Sequence, residues 1–251
     1  MKKLAPLGIA LSMLLTLLLP QASVAQGYPA MANDDALDAL ESNLVMTVTE
    51  TPQFIRFDNN FITQDVGLLI QPGGDVDPRA YARIARKIAA NGYPVVIDNS
   101  PSTLVIAGLM PSMVPVIKAA NPDIANWALA GHSLGGVIAA KYIAENPQDF
   151  SIKGLALWAS FPDPENPISY RTDLVVASIY GELDCLVPPQ TVQSLSWTLP
   201  YNASFHQIDG ANHAQWGDYG DQEGDCAADI TTTQQKIRGK RATIELVLEK
   251  I

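Results

Sequence analysis

Trp127-Ala128-Leu129-Ala130-Gly131-His132-Ser133-Leu134-Gly135 is the stretch on which the reading of this chain turns. Trp127–Ala130 is a short apolar run suited to a strand buried on both faces. Leu134–Glu145 reads as a helix that Pro147 cannot prolong. A serine between such a strand and such a helix sits on a tight turn, where side chains two residues before or after it would strike neighbouring backbone. Glycine at Gly131 and Gly135 removes both collisions and leaves the Ser133 hydroxyl exposed at the end of the sheet. The helix N-terminus then points free N–H groups and a positive dipole end toward that hydroxyl. His132, held inside the turn, is expected to pack beneath it.

Outward from this turn the pattern is one of alternation. Leu44–Thr49 and Phe54–Phe57 read as two strands able to pair as an antiparallel edge, and Val66–Ile70 and Val95–Ile97 as buried strands. Between the last two, Asp77-Pro78 opens a helix whose Tyr81, Ile84, Ala85, Ile88 and Ala89 share one face, and Gly92 stops it. Asp34, Asp35 and Asp38 suit the opening of a short helix, and Ser112–Ala120 reads as a further helix. Downstream, Ile152–Ala159, Leu174–Tyr180 and Ser204–Ile208 read as strands, with Pro188–Trp197 and Thr232–Glu249 as helices. Strands alternating with helices imply an α/β fold: a mostly parallel central sheet with helices on both faces. No repeat or linker interrupts residues 26–251, so a single domain is expected there. The stretch Ser160–Arg171 holds three prolines and is short; it can shape a pocket rim but not a large lid.

The chain ends and composition narrow the setting. Lys2 and Lys3 precede an apolar run, Leu7 to Leu19, and Ser23-Val24-Ala25 supplies the small residues of a cleavage site. This is the layout of a secretory signal peptide over residues 1–25, and the run is shorter than the ~20 residues a membrane span needs. A secreted or periplasmic protein with no membrane span after cleavage is expected. The formal charge of −10, two units more negative once Lys2 and Lys3 are removed, repels phosphate backbones and argues against a nucleic-acid partner. Cys185 and Cys226 are the only cysteines. In an oxidising compartment their default fate is one disulfide, and two cysteines cannot form a zinc site alone. No metal and no cofactor is expected.

A serine hydroxyl is a weak nucleophile and needs a base, which in turn needs an orienting carboxylate. Two histidines follow Ser133. His206 lies within an apparent strand, whereas His213 lies in the loop straight after it, where side chains reach the edge of a parallel sheet. His213 is the expected base. Leu174–Tyr180 runs into Gly181-Glu182-Leu183-Asp184, and Asp184, four residues into a loop ahead of a helix started by Pro188, is preferred to Glu182 as the acid. A tetrahedral oxyanion needs two donors. The Leu134 N–H is one; Pro72-Gly73-Gly74-Asp75, the loop after the third strand, offers Gly74 as the other, with Gly73 close behind. Trp158, Phe161, Trp216 and Tyr219 follow strand ends and are candidates to line an apolar substrate pocket.

The Gly131–Gly135 turn, the Pro72-Gly73-Gly74 loop, the Gly181–Asp184 turn and the late Asn212-His213 loop together resemble the α/β-hydrolase superfamily over nearly the whole of residues 26–251. Within it the chain is similar to small, lid-less serine hydrolases of the dienelactone-hydrolase-like and cutinase-like types. Dienelactone hydrolases proper carry a cysteine where this chain has Ser133. The resemblance implies hydrolysis of a small or accessible carboxylic ester through an acyl-enzyme. An amidase or peptidase with the same Ser133–Asp184–His213 set is the second reading; a hydrolase fold kept as a binding module, which would be expected to have lost one of the three, is the third.

Overall fold

Continuous apolar runs in the middle of the chain become the buried centre of a sheet. The computed structural model describes residues 30–107 and 109–251, so the signal-peptide reading of residues 1–25 lies outside it. The described residues contain eight strands: β1 (Met46–Glu50), β2 (Phe54–Asn59), β3 (Val66–Gln71), β4 (Val95–Asp98), β5 (Asn126–His132), β6 (Ile152–Trp158), β7 (Val175–Gly181) and β8 (Ser204–Ile208). They form one sheet in the order β1-β2-β4-β3-β5-β6-β7-β8. β1 and β2 are the antiparallel edge that the sequence suggests, and β2 also runs antiparallel to β4. From β4 across to β8 every pairing is parallel. Every residue of β3 and β4 is buried, because helices cover both faces.

The helices are α1 (Asp34–Asp38), α2 (Ala82–Ala89), α3 (Ser102–Ile106), α4 (Val114–Ala120), α5 (Leu134–Glu145), α6 (Pro189–Ser194) and α7 (Thr232–Leu246). Strand alternation sorts the core into two layers. Leu68 and Ile70 of β3 share a layer with Ile84 and Ile88 of α2 and Ala242 of α7, whereas Leu69 joins Ile117 of α4 and Ala139 and Ile143 of α5 on the other face. Local chemistry explains where elements begin and end. Asn33 caps α1 by accepting from the Ala36 N–H, and Gly92 ends the turn after α2 at φ +90. Thr231 and Gln234 exchange side chain-to-backbone hydrogen bonds as a capping box for α7.

Several elements depart from the sequence reading. Asp77 accepts from the Arg79 N–H and opens a 3₁₀ turn, Pro78–Tyr81, so the α-helix itself starts only at Ala82. The helix expected over Pro188–Trp197 divides into α6 and a 3₁₀ turn, Ser196–Thr198. The five-residue α3 carries no periodicity long enough to be legible in sequence.

The strand order places the functional edge. The chain moves from β3 to β4 on one side and returns to β5 on the other, so the order reverses between β3 and β5. The loops after β3 and β5 lie at the C-terminal ends of these two strands, the place where open α/β sheets bind ligands. Among the described residues no separate lid covers this edge, and no helix is long and apolar enough to cross a membrane.

Cys185 and Cys226 are joined, with Cα atoms 5.3 Å apart across a sequence separation of 41. A loop of that size gives about 3–4 kcal/mol in the chain-entropy view. Replacing both cysteines by serine should therefore lower the melting temperature by roughly 6–15 °C, read by circular dichroism. A shift below about 2 °C would show that the loop is already held by its other contacts.

Candidate active site

Ser133 sits between β5 and α5 with φ 52 and ψ −123, a conformation that costs a non-glycine residue about 1–3 kcal/mol. It persists because its surroundings allow nothing else. A Cβ at Gly131 would overlap the Gly135 backbone, and one at Gly135 would overlap the carbonyl oxygens of Gln71 and Pro72. One at Gly136 would strike the Ser160 side chain. The Ser133 N–H donates to the Trp158 carbonyl at 3.0 Å, and Ser160 Oγ donates back to the Ser133 carbonyl at 2.7 Å. Ser160 and Gly136 escape the sequence reading, since nothing in their local pattern shows that the loop after β6 folds against the turn.

The loops after β7 and β8 bring Asp184 and His213 together. Both side chains are buried, with His213 Nδ1 2.8 Å from Asp184 Oδ2. Asp184 Oδ1 accepts the Leu186 and Val187 N–H groups at 3.0 and 2.6 Å, which fixes the carboxylate in place. An ionised carboxylate only accepts, so the imidazole carries its hydrogen on Nδ1 and leaves Nε2 basic. No hydrogen bond joins Ser133 Oγ to His213, whose Nδ1 is held by Asp184. The two loops are nonetheless adjacent, because the His132 ring lies 4.5 Å from the His213 ring. His132 therefore packs against the imidazole expected to act as base. Glu182 instead accepts the Gly210 N–H, and His206 is exposed on the edge strand β8.

The glycine loop after β3 separates its two candidates. Gly73 donates its N–H to Tyr81 Oη at 2.9 Å and is thereby occupied. The Gly74 and Leu134 N–H groups have no partner among the described residues, so both remain available to an incoming oxygen. Asp75, at φ 57, turns the chain back toward Val76.

Several residues that grip the His213 loop were invisible in sequence. Asp225 accepts the Ala214 N–H at 2.8 Å on one oxygen and the Cys185 N–H at 3.2 Å on the other, bridging the residues that follow His213 and Asp184. Gln235 of α7 exchanges hydrogen bonds with the Asn212 backbone, and Lys236 donates to the carbonyls of Gln215 and Trp216. Lys236 is wholly buried and paired with Asp218, which also meets Arg83 of α2. Two of the candidate pocket residues belong elsewhere. Trp158 and Trp216 are fully buried and stacked at 5.2 Å, with Trp158 Nε1 donating to Thr243, so they are core and offer no surface to a substrate. Phe161 and Tyr219 are half-buried, and Tyr219 Oη donates to Gln222.

A sequence model described as the alpha/beta hydrolase family matches residues 67–237, from β3 into α7. The chain belongs to the α/β-hydrolase family. No curated protein matches it in sequence. Solved structures share the fold. A dienelactone hydrolase from Anabaena variabilis is 13% identical, with 81% of this chain and 99% of that one covered, at a TM-score of 0.54. An α/β serine hydrolase without lid from Xanthomonas campestris is 14% identical, with 84% and 97% covered, at 0.51. The α/β hydrolase domain-containing protein 10 from mouse is 10% identical, with 82% and 98% covered, at 0.52. Identities this low establish likeness of fold alone.

In this hydrolase the buried lysine beneath the His213 loop has a titration consequence. Burial lowers the Lys236 pKa to about 8, against the opposing pull of Asp218. A folded-state value depressed from 10.5 means that the stability linked to this group is full above pH 10.5 and is lost as pH falls to about 8. Relative to Lys236→Met, the parent should gain melting temperature between pH 8 and 10.5. Parallel melting curves across that window would show that Lys236 does not titrate there.

Proposed function

We propose that the protein is an exported serine hydrolase that cleaves a carboxylic ester through an acyl-enzyme on Ser133. The observation that carries this reading is the pairing of a strained, glycine-walled serine with the buried His213–Asp184 couple on the same edge of the sheet. Export, to the periplasm or the medium, is supported by the leader-like N-terminus and the disulfide.

The chemistry follows from the atoms present. Substrate enters at this edge of the sheet with its carbonyl carbon beside Ser133 Oγ and its oxygen toward the free N–H groups of Leu134 and Gly74. As Oγ attacks, His213 Nε2 takes its proton, and Asp184 steadies the imidazolium through Nδ1–H. The two N–H groups, which have no partner among the described residues, meet the developing negative charge. Collapse expels the alcohol, protonated by His213, and leaves the acyl group on Ser133. Water then repeats the sequence with His213 as base and frees the acid. With no separate lid among the described residues, the short Ser160–Arg171 stretch leaves the site open to small or accessible esters, and the half-buried Phe161 and Tyr219 are the remaining candidates for its apolar side.

Ser133→Ala and His213→Ala should each cut turnover of an aryl ester by about 10⁴-fold or more, and Asp184→Asn somewhat less, since the three act as a unit. Labelling by a fluorophosphonate should disappear in Ser133→Ala. Retained labelling, or inactivation by His206→Ala in place of His213→Ala, would overturn the assignment. Turnover should also be indifferent to EDTA, because nucleophile, base and oxyanion donors all come from the chain. Activity lost to the chelator and restored by a divalent ion would refute that account.

A further inference from the structure

His132 is the one residue of the serine turn with a polar side chain and no place in the chemistry above. It is buried, as is Tyr81, and Tyr81 Oη lies 2.8 Å from His132 Nδ1. The same Oη accepts the Gly73 N–H at 2.9 Å. A backbone N–H can only donate, so the arrangement that pairs the tyrosine's own proton has it donated to His132 Nδ1, with the imidazole hydrogen on Nε2. Burial raises the Tyr81 pKa and keeps that proton in place. Burial first, then the neighbouring His213 and Lys236, hold His132 neutral, which leaves Nδ1 free to accept. The opposite face of the chain of contacts is the His132 ring, 4.5 Å from that of His213 and tilted by 47°. Gly73 passes close to both groups, since a Cβ there would lie 3.0 Å from His132 Nδ1 and from Tyr81 Oη. Four residues from four separate segments therefore form one line: Gly73, Tyr81, His132, His213.

Resting on the reading of Ser133 and His213 given above, we propose that Tyr81 and His132 are positioning residues that couple the oxyanion loop to the base. Tyr81 pins Gly73 and so aims the next N–H, that of Gly74, into the site. His132 sets Tyr81 and at the same time supports one face of the His213 ring. The two halves of the machinery, proton transfer and charge stabilisation, are thereby held in one geometry, and losing either link displaces the Gly74 donor.

The test uses the full chain with its disulfide formed, p-nitrophenyl acetate as substrate, and near-ultraviolet circular dichroism to verify each fold. Tyr81→Phe keeps the buried ring and removes only the hydroxyl. It should lower kcat by about 10–100-fold, less than outright loss of an oxyanion donor, with KM within about threefold. His132→Leu should do the same, and the double variant should be no worse than about threefold below the weaker single, as expected for one shared link. His132→Asn, whose Oδ1 takes the place of Nδ1 as acceptor, should recover most of the kcat lost in His132→Leu. An unchanged kcat in Tyr81→Phe, effects that multiply in the double variant, or a failure of asparagine to recover activity each overturn the coupling. If His132→Leu does not fold, Tyr81→Phe and His132→Asn decide between the outcomes alone. Ser133→Ala is run alongside. Turnover surviving in that variant refutes the serine reading itself, whereas its loss beside an unaffected Tyr81→Phe refutes only the coupling.

Discussion

A single backbone conformation organises this molecule: Ser133 held at φ 52, where an L-residue rests only under constraint. Everything around the turn is shaped to permit it. The carbonyls of Gln71 and Pro72 approach so closely that only glycine fits at position 135, and the loop after β6 closes the remaining side through Ser160. That close approach requires β3 and β5 to be neighbours, so the topological reversal between them and the strained serine are two aspects of one arrangement. The cost of the strain, on the order of a few kcal/mol at most, is offset by a sheet whose central strands are buried from end to end.

Asp184 and His213 occupy different loops, and the structure ties those loops at several points. Leu183 donates to the Ala211 carbonyl, Glu182 accepts the Gly210 N–H, and Asp225 bridges the Cys185 and Ala214 amides. The disulfide closes the outer end of the same region. A histidine–carboxylate pair buried this fully tolerates little drift: a lengthened hydrogen bond would leave Asp184 Oδ2 and His213 Nδ1 in the interior without partners. The redundancy of ties is the physical answer to a long loop, from His213 to Cys226, that has few apolar anchors of its own.

Beneath that loop, polar groups replace the usual apolar floor. The buried Lys236 and Asp218 and the partly exposed Arg83 form a charge chain, and Lys236 spends its remaining hydrogens on the carbonyls of Gln215 and Trp216. A backbone segment that cannot adopt helix or strand still has to satisfy its carbonyls, and a lysine reaching up from α7 does so from below. The stacked pair Trp158–Trp216 supplies the neighbouring apolar support.

What sequence alone determined is what a few consecutive residues can encode. Apolar runs bounded by Gly and Pro marked the strands, Gly131 and Gly135 marked the turn, and the loops after Leu174–Tyr180 and Ser204–Ile208 marked Asp184 and His213. The two cysteines paired for want of any third. Only the tertiary structure decided the strand order, the occupation of the Gly73 N–H by Tyr81, and the inward turn of Trp158 and Trp216. It alone revealed the contacts between Tyr81 and His132, 51 residues apart, and between Arg83 and Asp218, 135 apart. The reason is physical. Steric rules for turns and strands act over a handful of bonds and leave a local signature, whereas the partner of a buried polar atom is chosen by the packing of distant segments, whose approach no local spacing records.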